Sequence, residues 1–95
     1  MLSTDDIKEA ARPLLKSYGF NGATLFGSFA RGNPTENSDV DIFVLVPEGT
    51  KTKRVLEFAY DLGEKLGVEV DAYGSHEVPS GSKLLDQIIM YGVKL

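Results

Sequence analysis

Apolar residues return every third or fourth position over the first stretch of the chain: Ile7, Ala10, Ala11, Leu14, Leu15 and Tyr18. That spacing predicts an amphipathic helix. Ser3 or Thr4 is placed to cap it, Asp5 and Asp6 suit its positive end, and Gly19 stops it. Pro13 falls inside the pattern and is expected to kink or divide the helix. Ala23–Phe26 then reads as a short strand running into a Gly27-Ser28 turn. A short helix is predicted over Ser28–Arg31, broken by Gly32-Asn33-Pro34. Asp39–Val46 is the clearest strand, rich in β-branched residues and ended by Pro47. A second long helix follows, with Thr50 or Thr52 as its cap and Val55, Phe58, Ala59, Leu62 and Leu66 as its stripe, ending at Gly67. Val68–Tyr73 alternates as a third strand. A last helix from about Ser82 carries Leu84, Leu85, Ile88 and Ile89 and stops at Gly92. This order, α-β-(α)-β-α-β-α, gives an α/β or α+β fold, a small sheet of at least three strands flanked by helices.

Composition narrows the setting. The 95 residues are 42% hydrophobic and 25% charged, which fits one globular domain over residues 1–95. The longest uncharged apolar run, Ile42–Pro47, is far short of the roughly 20 residues a bilayer span needs. The opening Met-Leu-Ser-Thr-Asp-Asp has no basic start followed by an apolar stretch, so a cytoplasmic location is expected. No cysteine is present, which excludes disulfides and thiolate metal ligands. The net charge is −4 and the pI about 4.8. Phosphate contacts dominate affinity for a nucleic-acid backbone, so this balance argues against a long RNA or DNA acceptor. A free nucleotide chelated by metal remains compatible with it. Lys51, Lys53 and Arg54 form the one basic cluster and read as a solvated helix start.

The chemistry concentrates in two short runs, Gly27-Ser28-Phe29-Ala30-Arg31-Gly32 and Asn37-Ser38-Asp39-Val40-Asp41. Strand residues alternate faces, so Asp39 and Asp41 point the same way with α-carbons roughly 6.6 Å apart. Two carboxylates so placed repel unless a cation lies between them, and hard oxygen ligands suit Mg²⁺. Val40, Ile42, Val44 and Val46 should line the buried face. Asp71 repeats the pattern on the third strand, and from a neighbouring strand it would reach the pair across about 5 Å. Three convergent carboxylates would support a two-metal phosphoryl displacement. Asp39 and Asp41 would bridge the ions, and Asp71 would hold or deprotonate the nucleophile. Gly27 lets the backbone approach a ligand closely, the amides of a helix start bind anions, and Ser28 and Arg31 add a hydroxyl and a charge. Singly these are common features: a Gly-Ser turn, edge carboxylates, one polar member of a strand. Their joint order is specific.

The segment Gly27–Asp41 resembles the signature of the DNA polymerase β-like nucleotidyltransferase superfamily. Leu25-Phe26-Gly27-Ser28-Phe29-Ala30-Arg31-Gly32 and Ser38-Asp39-Val40-Asp41 are most similar to its minimal nucleotidyltransferase (MNT) branch. The resemblance implies a mixed sheet carrying Asp39 and Asp41 on one strand, with Asp71 as the third carboxylate. It also implies ATP as substrate, Mg²⁺ as cofactor, and a helical HEPN-type partner protein. In that setting the branch acts as antitoxin to an RNase toxin by attaching AMP, in some cases to a tyrosine hydroxyl. Two other readings stay open: a module that masks its partner without catalysis, and a small-molecule nucleotidyltransferase subunit of the aminoglycoside type. His76 reads as a surface-loop residue. Phe58 and Tyr60 read as core, and Tyr18, Tyr73 and Tyr91 as half-buried packing.

Overall fold

A computed structural model describes residues 2–27, 30 and 39–95. Its elements run α1 (Thr4–Tyr18), β1 (Gly22–Phe26), β2 (Val40–Leu45), α2 (Thr52–Leu66), β3 (Val70–Gly74), α3 (Lys83–Tyr91) and β4 (Val93–Lys94). The strands form one mixed sheet in the order β3-β2-β1-β4. β1 is antiparallel to β2 and to β4, and β2 is parallel to β3. A parallel pair needs a crossover, which α2 provides between β2 and β3.

Strand alternation divides the sheet into two faces. Ala23, Leu25, Val40, Ile42 and Val44 point to one side, where Ile7, Ala11 and Leu15 of α1 and Val55, Phe58 and Leu62 of α2 close the main core. Phe26 and Phe43 point to the other side and pack with Ile88 of α3, with Tyr73, Val78, Leu84 and Leu85 around them. The second face is thinly covered, and it carries the carboxylates.

Ser3 caps α1 through a capping box: its hydroxyl accepts from the Asp6 amide while the Asp6 carboxylate accepts from the Ser3 amide. Gly19, at φ +73°, ends the helix in the left-handed conformation. Pro13 does not divide it. The bond Pro13 cannot donate would go to the carbonyl of Glu9, and both residues lie on the exposed side. Water can satisfy that carbonyl while Ile7, Ala11 and Leu15 hold the helix to the core. Strand boundaries also move by one or two residues, and so does the cap of α2. The strand expected from Asp39 begins at Val40, the one expected from Val68 begins at Val70, and α2 has Lys51 at its N-cap with no side-chain cap bond. Thr50 instead donates to the Pro47 carbonyl at 2.7 Å, which commits its hydroxyl to the preceding turn.

β4 was not expected. Two residues cannot establish an alternation, yet Leu25 pairs with Val93 and Thr24 with Lys94. Gly92 makes this possible: a Cβ there would run into the Ile88 carbonyl and the Thr24 methyl, so only glycine lets the chain turn this tightly onto β1. The helix expected over 28–31 lies outside the described residues.

Candidate functional site

Asp41 is the second residue of β2 and Asp71 the second of β3. The parallel register sets them directly opposite one another. Both are half-buried and share the face that carries Phe26, Phe43 and Tyr73. Val40 and Val70 on one side, and Ile42 and Ala72 on the other, send their side chains to the opposite face and anchor both carboxylates. Asp39 sits one residue before β2, outside the ladder and exposed. The sequence pattern puts Asp41 and Asp71 on the right face and leaves the pairing of their strands open, which the structure supplies, while it puts Asp39 one residue too far inside the strand.

The Asp41 carboxyl is pushed above the ordinary carboxylate range, first by burial and then by the negative charges of Asp71 and Asp39. Loss of hydration and like-charge repulsion act in the same direction, as they do wherever carboxylates share a site. A cation placed among them would reverse both effects. Among the described residues, no three histidine or carboxylate side chains are gathered closely enough to hold a metal by themselves. Asp39, Asp41 and Asp71, expected to converge as three ligands, are thus not gathered into one such group, and Mg²⁺ typically keeps to one or two carboxylates with water and substrate phosphates as its other ligands. The donor set is all oxygen and fits that ion.

Gly27 ends β1 in a turn at φ +77°. Its neighbour Phe26 pairs with Asp41, and a Cβ on Gly27 would lie 2.5 Å from Asp41 Oδ2. The absent side chain therefore leaves the space the carboxylate occupies. This role is distinct from close approach to a phosphate, and the residue types alone did not reveal it. Ser28 and Arg31, the expected phosphate contacts, lie outside the described residues.

Tyr73 does more than pack. Its ring lies 5.7 Å from that of Phe26, centroid to centroid, and burial with the charges of Asp41 and Asp71 raises its hydroxyl above the ordinary tyrosine range. It therefore borders the carboxylates. Alternation already put Tyr73 on the face of Asp71, which was the available signal. His76 is exposed near Thr52 and Glu77, as a loop residue should be. Tyr60 and Tyr91 are not packed: they are 67% and 53% exposed. Arg54 is not simply solvated, since it donates to the Tyr18 carbonyl at 2.9 Å and stacks on that ring.

Comparison with known proteins gives this arrangement its context. The family described as "Nucleotidyltransferase domain" matches residues 7–95. A candidate protein adenylyltransferase of Methanocaldococcus jannaschii is 39% identical over 70 residues, which is 74% of this chain and 75% of that protein. Among solved structures, a candidate minimal nucleotidyltransferase superposes with a TM-score of 0.81 at 27% identity, covering 99% of this chain and 97% of that one. A toxin–antitoxin complex with AMP-PNP superposes with a TM-score of 0.77 at 28% identity, covering 92% of this chain and 70% of that one. A mixed sheet with paired aspartates beside a glycine turn, matched across nearly the whole chain, places this protein in the nucleotidyltransferase domain family, and it is a nucleotidyltransferase.

Proposed function

We propose that the chain transfers AMP from ATP to a hydroxyl, that of a tyrosine, on a helical HEPN-type partner protein whose RNase activity it thereby neutralises. The observation that carries this reading is the register pairing of Asp41 with Asp71 beside Gly27, half-buried and mutually repelling, on a face open enough to receive substrate. The toxin–antitoxin complex with AMP-PNP among the structural relatives supports both the nucleotide and the kind of partner.

In this reading Asp39 and Asp41 hold Mg²⁺, with Asp71 as the third carboxylate, and Gly27, Ser28 and Arg31 cradle the triphosphate. When bound, Mg²⁺ supplies positive charge that offsets the charge building up on the phosphates. The tyrosine oxygen forms a bond to the α-phosphorus while the bond to the bridging oxygen of the β-phosphate breaks. Pyrophosphate leaves with that electron pair, and the hydroxyl proton passes to Asp71. Its place directly opposite Asp41 in the parallel register, half-buried on the same face, suits it to that task.

The test combines the purified chain, Mg²⁺ and the product of the adjacent gene, the proposed HEPN-type partner, with ATP labelled at the α- or the γ-phosphate. Label should reach the partner from α-labelled ATP alone and be lost in Asp39→Ala and Asp41→Ala. Transfer from γ-labelled ATP would mean kinase chemistry. Tight complex formation without label would leave masking as the mechanism.

A further inference from the structure

Helix α2 is more apolar on its outer side than its core packing requires. Leu56 is 60% and Tyr60 67% exposed, and they stand one turn apart on a stripe with Lys53, Glu57 and Glu64. On one side of them a trough of about 560 Å³ runs between α2 and the entry to β3, bordered by Leu56, Tyr60, Gly63, Val68, Glu64 and Glu69. On the other side a depression of about 300 Å³ shares Leu56 and Tyr60 and is edged by Glu57 and Asp61. Two large apolar side chains thus lie between hollows whose rims hold four carboxylates against the single ammonium of Lys53. Gly63, at the floor of the trough, lets the helix approach the Val68 carbonyl closely.

The location matters as much as the chemistry. The trough ends at Val70, the residue before Asp71, and among the described residues β3 is an edge strand with no neighbour on its outer side. A protein seated here can reach around that edge to the carboxylate face without passing over the covering helices. We propose that this trough docks the protein that bears the acceptor hydroxyl, and that it receives an apolar segment flanked by lysine or arginine side chains. Leu56 and Tyr60 supply the apolar anchor, in keeping with the weight tyrosine carries in interfaces, while Glu57, Asp61, Glu64 and Glu69 select for positive charge. This rests on the protein-adenylylation reading for the identity of the occupant, though not for the character of the surface.

The probe is a HEPN-type partner protein, titrated calorimetrically against the full chain. Leu56→Asp with Tyr60→Ala should raise Kd at least ten-fold, and Glu64→Lys with Glu69→Lys should do so as well. The circular dichroism spectrum should not change, since these side chains are exposed, and the Leu56/Tyr60 variant, altered only on α2, should keep its AMP-PNP affinity. Unchanged Kd in both double variants, or no binding by the wild type, would overturn the proposal. So would a wild-type dimer in sedimentation that the Leu56/Tyr60 variant abolishes, because a second copy would then cover the surface. If both variants lose affinity while the wild type transfers no AMP, the surface stands and the adenylylation reading falls.

Discussion

Asp41 illustrates how a single side chain can be costly to the fold and useful to the site. In the folded chain its carboxyl holds a proton to higher pH than the unfolded chain does. Its contribution to stability is therefore greatest below the ordinary carboxylate range and is lost as pH rises through the raised one. At neutral pH the metal-free fold carries the full repulsion. Asp41→Asn should consequently raise the Tm of the metal-free protein at pH 7 while abolishing AMP transfer. The gain should be below about 1 kcal/mol, because the group is partly exposed and solvent screens it. A domain of this size would then gain at most about 4–8 °C. A lower Tm in calorimetry, or wild-type transfer, would contradict the assignment. The same-face placement of Asp41 and Asp71 was legible in the sequence, because a period of two leaves little choice once the strands are recognised. The fit between Gly27 and Asp41 was not legible, since it depends on which residues β1 and β2 place side by side.

Elements were read best where apolar spacing was long and regular. Helices α1 and α2 and strand β2 emerged nearly in full because each buries one continuous stripe or face. β4 escaped because its two residues hold their place through Gly92 and β1 and have no pattern of their own. The order of the strands was equally hidden, as spacing shows which residues face inward but not which strand lies alongside. The junction of α2 with β3 provides a test at this scale. Gly63 lies within α2, where alanine is ordinarily better by about 1 kcal/mol. A Cβ there would meet the Val68 carbonyl at 2.8 Å, against backbone that cannot swing aside. Gly63→Ala should therefore destabilise the fold by about 1–2 kcal/mol, within the range of overpacked sites. Urea denaturation should show a lower midpoint with an unchanged slope.

Across the whole molecule, charge and layering divide the surface into different roles. Helices α1 and α2 seal one face of the sheet, α3 partly covers the other, and the carboxylates lie at the end of the less covered face. A net charge of −4 makes the field around that site unfavourable to a polyanion. At about 0.15 M salt, single-stranded RNA should show no binding to micromolar protein by fluorescence anisotropy, whereas a basic protein partner should bind more weakly as salt rises. Measurable RNA affinity would reopen the nucleic-acid acceptor that composition argues against. The parallel joining of β2 to β3 also bears on the order in which the chain assembles. β1 and β2 can zip together as neighbours in sequence, but β3 arrives only after α2 has closed a long loop, the slower kind of event. On that ordering Asp41 should enter the sheet while Asp71 is still distant, the two charges first meeting when the last of these three strands docks.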